Sequence, residues 1–325
     1  MAATTVQPEP LARSRDDYVI GWISALAIES AAATIMLDEE HDDLSIAEGD
    51  SNTYTLGKIG AHNVAMACIN EAGGLPADTA ARNLMKSFRN VRYILMVGIG
   101  GGIPSSKHQV RLGDVVVSEP NEGCPGVVQS DFGKWEADGF RITGSLNRPA
   151  EGLIRAMGVV KKQHLLRRSK IHNFVRHLQE DIGEEEIWQY QGRENDPVYR
   201  EDPEPRKNRP CPECKSSAKH APDPKIHYGT IASGNQVIKN QEQRDKLGGQ
   251  IGACCVEMEA FGLMNNFPCL VIRGISDYAD GQKDDRWQGY ASLTAAAYAK
   301  ELLTRLPSID MESTPRMGRQ MEQCQ

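Results

Sequence analysis

Residues 254–280 read CCVEMEAFGLMNNFPCLVIRGISDYAD. Two pieces of this run decide how the chain is read. VEMEA (Val256 to Ala260) sets Glu257 and Glu259 around Met258, straight after an apolar Ala-Cys-Cys-Val segment. PCLVIRGI (Pro268 to Ile275) has the continuous apolar character of a strand buried on both faces, and it ends in Ser276-Asp277. Carboxylates at the ends of buried segments are costly unless they are paired or used.

Working outward, the same kind of segment recurs. Residues 18–24 and 92–97 read as short apolar strands, as does 113–119, and residues 228–233 lead into GNQVIK. Residues 53–57 and 62–69 read as a strand pair turning at Gly60. Between the strands lie helical stretches. Glu29 opens the Ala-rich IESAAATIML, Pro76 with Asp78 or Thr79 starts a helix running to about Phe88, and 285–306 reads as an amphipathic helix. Buried strands interleaved with helices predict an α/β fold: a three-layer α/β/α sandwich around a central mixed β-sheet.

The organisation along the chain follows. Residues 1–16 read as a disordered lead without the apolar core of a secretory signal. Residues 17–306 form the domain. It carries an insertion at about 160–226, rich in charge and proline, helical near 150–180 and looped from about 190. Residues 307–325 read as a flexible tail. No apolar run reaches the length of a membrane span. The formal net charge of −7 argues against binding a nucleic acid polymer, which needs clustered Lys and Arg. Cys254, Cys255 and Cys269 lie in apolar surroundings and Cys68 in a strand, the pattern of reduced core thiols. A cytoplasmic location is expected.

ISALAIES (23–30), VGIGGGI (97–103), LGDVVVSE (112–119), IASGNQVIK (231–239), VEMEA and RGISDYAD occur in this order. Together they resemble the nucleoside phosphorylase/nucleosidase superfamily, above all the methylthioadenosine/adenosylhomocysteine nucleosidases and the purine-nucleoside domains of fungi. The resemblance covers roughly 18–145 and 226–306. It implies cleavage of an N-glycosidic bond, which needs a proton for the departing base, charge stabilisation at the sugar and an activated nucleophile. In the family pattern Asp277 is the general acid at the purine, Glu29 activates water and Glu259 accepts hydrogen bonds from ribose hydroxyls. Met258 packs on the sugar, and Glu257 is structural or contributes its backbone. Ile99 and Gly100 would line a backbone wall, Ser276 adjoins the acid, Val237 and Ile238 flank the base, and Trp287 closes over the nucleoside. Val237 stands where relatives place a stacking aromatic.

Each assignment has a plainer alternative. Asp277 and Ser276 could cap a turn, Glu29 could complement a helix dipole, Met258 could fill the core, and Trp287 could anchor the last helix. Phosphorylases of the superfamily need an anion pocket, where this chain has Met96 and Ile99, neither able to donate from its side chain. Hydrolysis of adenosine, inosine or guanosine is therefore expected. Phosphorolysis, or a sensing module with little turnover, are the competing readings. No cofactor and no catalytic metal are expected. Cys211 and Cys214, with His220 and His227 nearby, have half the spacing of a zinc site, but a loop with incidental cysteines is the simpler reading. Relatives of this kind assemble, so a homo-oligomer, first a dimer, is expected.

Overall fold

The computed structural model describes residues 13–198, 223–308 and 314–317, apart from positions 122, 138, 183, 184, 283 and 315. Cys211, Cys214 and His220 lie outside the described residues. Strand β1 (Ile20–Ser24) is fully buried and pairs in parallel with β4 (His62–Cys68) and β5 (Tyr93–Gly102). β4 turns back from β3 (Tyr54–Ile59), and β2 (Glu39–His41) forms the outer edge. On the other side of β5 lie β12 (Leu270–Asp277), β6 (Val115–Ser118), β10 (Ile226–Ser233) and β11 (Ala253–Glu257). The sheet is mixed: β12 runs parallel to β5 but antiparallel to β6. A short β7 (Val127–Gln129) adds to β10, and β8 (Gly133–Glu136) with β9 (Gly139–Ile142) forms a separate hairpin.

One half of the sheet closes on itself. β11 pairs with β10 and, through Cys255 and Val256, with Gly102 and Gly101 of β5. The ring β5–β12–β6–β10–β11 leaves no free edge there.

Two groups of helices cover the sheet. α2 (Gly74–Ser87) packs on β1, β4 and the short α6 (Ala260–Leu263). The long α7 (Gln288–Arg305) packs on β12 and β5, and against α1 (Ala27–Ile35), α3 (Glu151–Leu165) and α4 (Ile171–Ile182). α5 (Gln241–Ile251) starts where Asn240 accepts a hydrogen bond from Gln243 N–H and stops at Gly252 in the left-handed region. Neither α5 nor β7–β9 stands out in the sequence.

Three expectations are adjusted. The 285–306 segment is a nearly wholly buried helix rather than an amphipathic one, because α3 and α4 cover the face that would otherwise meet water. The expected insertion boundary at 160 falls inside α3, and Val160, Ile171 and Val175 are core residues. The strand read as ending at 97 continues through Gly102, since its glycines sit where neighbouring groups leave no room for a side chain. Among the described residues, no helix is long and apolar enough to cross a membrane, and no cluster of three or more His, Cys, Asp or Glu could hold a metal. The described cysteines are free thiols.

Candidate active site

The site forms where β1, β5, β11 and β12 deliver their carboxyl-terminal residues, the usual place for a site in an α/β sheet. Glu29 is at the third position of α1 and is buried. Its Oε2 accepts the Ala25 N–H (2.7 Å) and the Leu26 N–H (2.9 Å), which ties off the helix start. Its Oε1 reaches across to β5 and accepts the Ile99 N–H at 2.8 Å. The helix-cap reading of Glu29 is thus realised, and it is joined by a long-range contact that a surface cap would not need. Burial pushes the Glu29 carboxyl above its ordinary range, and the nearby Arg273 guanidinium opposes this.

Arg273 is the centre of the cluster. It lies in the middle of β12 and is fully buried. Its Nη2 donates to Glu257 Oε2 and to Glu259 Oε2 (3.0 Å), and its Nη1 donates to the Ile99 carbonyl (3.3 Å). Glu257 ends β11 and also accepts the N–H groups of Glu259 (3.2 Å) and Ala260 (3.0 Å), so it shapes the turn into α6. Burial pushes the Glu259 carboxyl up to about 7; Arg273 counters this, while Glu257 and Glu29 reinforce it. Burial works against the Arg273 charge, yet Glu257, Glu259 and Glu29 together hold its pKa above the ordinary value.

Gly98, Gly100 and Gly101 make this proximity possible. A Cβ on Gly98 would overlap Glu29 Oε1 and lie 2.6 Å from Arg273 Nη1. On Gly100 it would lie 2.5 Å from Cys255 Sγ, and on Gly101 2.9 Å from Asp277 Oδ1.

Asp277 stands at the end of β12, where the ladder with β5 slips by one residue: Ile275 pairs with Gly100, and Asp277 with Gly101. The extra residue, Ser276, is buried and donates through Oγ to Asp277 Oδ2 at 3.2 Å. Oδ1 accepts the Ala279 N–H at 2.8 Å. Ala279 holds a left-handed backbone (φ 53°), uncommon for a residue with a side chain. Asp277 is therefore fixed by a local turn and a bulge, and it is half-buried rather than sealed.

The other expected site residues are less concentrated. Met258, between the two glutamates, is half-buried and donates its N–H to Glu259 Oε2 at 3.4 Å. Val237 is 59% exposed, and Ile238 half-buried, in the loop after β10. Trp287 is fully enclosed, with its ring against Tyr190 and Tyr290. The plainer reading of that residue, an anchor for the last helix, describes its surroundings.

Arg273 received no role from the sequence. The signal was present: an arginine inside an otherwise apolar strand, following two glutamates. Three other arginines go elsewhere. Arg82 pairs with Asp78 on α2, Arg92 donates to the Asn90 carbonyl, and Arg111 lines another cavity.

Known proteins resemble this chain in sequence and in fold. Residues 176–313 match the phosphorylase superfamily model. The chain is 43% identical, over 89% of its length, to a nucleotide-binding leucine-rich repeat (NLR)-like protein of Hyaloscypha variabilis, and spans 29% of that protein. A shorter match, 36% identical over 24% of the chain and 17% of the relative, is to the ATP nucleosidase Cap17 of Escherichia coli. The fold superposes on the 5'-methylthioadenosine/S-adenosylhomocysteine nucleosidase of Neisseria meningitidis, solved with methylthio-immucillin-A, with a TM-score of 0.57. That superposition covers 88% of this chain and 98% of the other at 15% identity, which speaks for the fold alone. Residues 176–313 carry the similarity in sequence, and the fold is shared with that nucleosidase over most of the chain. On both counts the chain is similar to the nucleoside phosphorylase/nucleosidase superfamily. It spans less than a third of the length of the NLR-like relative.

Proposed function

We propose that this chain hydrolyses the N-glycosidic bond of purine ribonucleosides. Glu29 takes a proton from water as the water oxygen bonds to the anomeric carbon. Glu259 accepts hydrogen bonds from the ribose hydroxyls, a task suited to an ionised carboxylate. The bond from sugar to base breaks with its electron pair moving into the purine, and Asp277 supplies the proton that neutralises the departing base. The products are free base and ribose.

The observation that carries this reading is the state of Arg273. Its guanidinium is already shared by Glu257 and Glu259, and Glu29 lies beside it. Three carboxylates around one guanidinium leave no surplus positive charge for an incoming phosphate, whereas Glu29 is placed to accept a proton from neutral water. Phosphorolysis is the weaker reading on this ground. The ATP nucleosidase relative extends the candidate substrates to purine nucleotides. The NLR-like relative favours a second reading, in which the domain senses a nucleoside within a larger protein. A homodimer is part of the proposal, and sedimentation analysis checks it.

The test is product identification. The purified chain is incubated with adenosine, inosine, guanosine and ATP, with and without phosphate. Free ribose or ribose triphosphate, formed without phosphate, is the expected result. Glu29→Gln and Asp277→Asn should each lower the rate by about 10²–10⁴-fold, with the melting temperature of Asp277→Asn unchanged. Ribose 1-phosphate formed only in the presence of phosphate would establish phosphorolysis. Saturable binding with no product, unchanged by Asp277→Asn, would establish the sensor.

A further inference from the structure

A cavity of about 640 Å³ lies away from the glutamate–arginine cluster. It is bounded by α3, the turn into α4, the residues before β6, the start of β10 and the first turn of α7. Its volume is in the range of small-molecule sites. Much of its wall comes from the 160–226 region, to which neither the family pattern nor the proposed reaction gives a task.

Two features of the lining are informative. The first is charge. Arg111, Lys161, Arg193 and Lys225 line the cavity, with His164 and His172; of these, Lys161 is also paired with Glu119 and His164 with Glu301. The acids beside them are Asp114, Asp196 and Asp223, and each is turned onto protein donors. Asp114 accepts the Arg111 N–H and the Lys225 N–H, both at 2.9 Å, and contacts His227 Nε2 at 2.8 Å. Asp196 accepts from Tyr278 Oη at 2.8 Å and from Val198 N–H at 3.0 Å. Asp223 pairs with His172 at 3.3 Å. The second feature is aromatic surface. Tyr190, Tyr228 and Tyr290 line the same space, Tyr190 and Tyr290 edge to face with ring centres 5.4 Å apart. Lys161 Nζ lies 4.6 Å from the centre of the Tyr228 ring.

Guanidinium and ammonium groups recognise phosphate, and tyrosine faces recognise planar rings. We infer that this cavity binds a phosphorylated aromatic small molecule of nucleotide size. The inference does not depend on the hydrolase reading, because none of the residues proposed for hydrolysis lines the cavity. The cavity does touch the catalytic strand: Asp196 holds Tyr278, the neighbour of Asp277, and Gly113 N–H donates to the Ile275 carbonyl at 2.8 Å.

The test is calorimetric titration of the full chain with adenosine 5′-monophosphate, using the Glu29→Gln variant so that the probe is not consumed. Parallel titrations use inorganic phosphate and adenosine, and the monophosphate titration is repeated with adenosine present in saturating amount. Saturable binding that persists under adenosine is expected, with a dissociation constant at least tenfold lower than that for phosphate. Charge reversal of Arg193 and Lys225 to Glu should raise that constant tenfold or more. The single Lys225→Glu change, at an exposed side chain, gives the same direction if the double variant does not fold. Absence of binding, displacement by adenosine, or an affinity unchanged by Lys225→Glu would each overturn the inference. None of these results bears on whether ribose is released.

Discussion

At Gly98 there is no space for even one methyl group. Glu29 and Arg273 close over this position, so Gly98→Ala should displace one or both side chains. The expected result is a loss of turnover of about 10²-fold or more, because a shift near 1 Å in a reacting group is that costly. Melting temperature should change by only a few degrees, and comparing the two readouts checks the claim. Arg273→Met is expected to act on stability instead. It would leave Glu257 and Glu259 buried without their cation, a loss of about 3–5 kcal/mol that urea unfolding at pH 7 would measure. At this scale the sequence showed the carboxylates and missed their partner. Glu29, Glu257 and Glu259 announce themselves as acids beside apolar runs. Arg273 sits in the same quoted stretch, but a single basic residue in a strand does not say which face it occupies or what lies across from it. Trp287 and Val237 were unreadable for the same reason: enclosure by Tyr190, or exposure in a loop, depends on residues distant in the chain.

Among the elements, the contact between β12 and α7 is the tightest. A Cβ on Gly274 would overlap the Ala291 carbonyl of the helix. Gly274→Ala should therefore force α7 away from the strand that carries Arg273 and Asp277. Destabilisation of about 1–3 kcal/mol is expected from overpacking, with a fall in activity, measured by denaturant unfolding and ribose release. Strand and helix identities were legible here because apolar runs and an alanine-rich stretch carry strong local signals. The length of β5 was not. Glycine is a poor strand former on its own, and only the groups crowded around Gly98, Gly100 and Gly101 explain why the strand persists. Likewise α7 looked amphipathic because Ser292, Thr294 and Glu301 punctuate it, yet all three are buried, and Glu301 meets His164 of α3 at 3.0 Å. Periodicity cannot show that a second helical layer covers a polar face.

For the molecule as a whole, the acid cluster sets the pH response. Glu259 is held up to about 7 and Glu29 is also raised, against an ordinary value of 4.5. The folded chain thus binds more protons than the unfolded chain between pH 4.5 and about 7. Stability from these groups is present at the acid end of that window and is lost as pH rises through it, at up to about 1.4 kcal/mol per unit for each group. Glu259→Gln should flatten the slope of melting temperature against pH between 5 and 7. A slope equal to that of the unaltered chain would show that Glu259 is not the source. The fold class could be read from the sequence, because alternating buried strands and helices have few packing solutions. The closure of β11 onto β5 could not, since no local pattern encodes which strand a distant edge will meet.

That closure has a kinetic meaning. Glu29, Ile99, Glu257 and Arg273 are separated by long stretches of chain and meet only when the ring of strands is complete. Contacts so distant in sequence form late, after the entropy of closing the intervening loops has been overcome. The cluster should therefore assemble late in folding, and a partly folded chain would expose glycine-rich strands before its carboxylates meet Arg273.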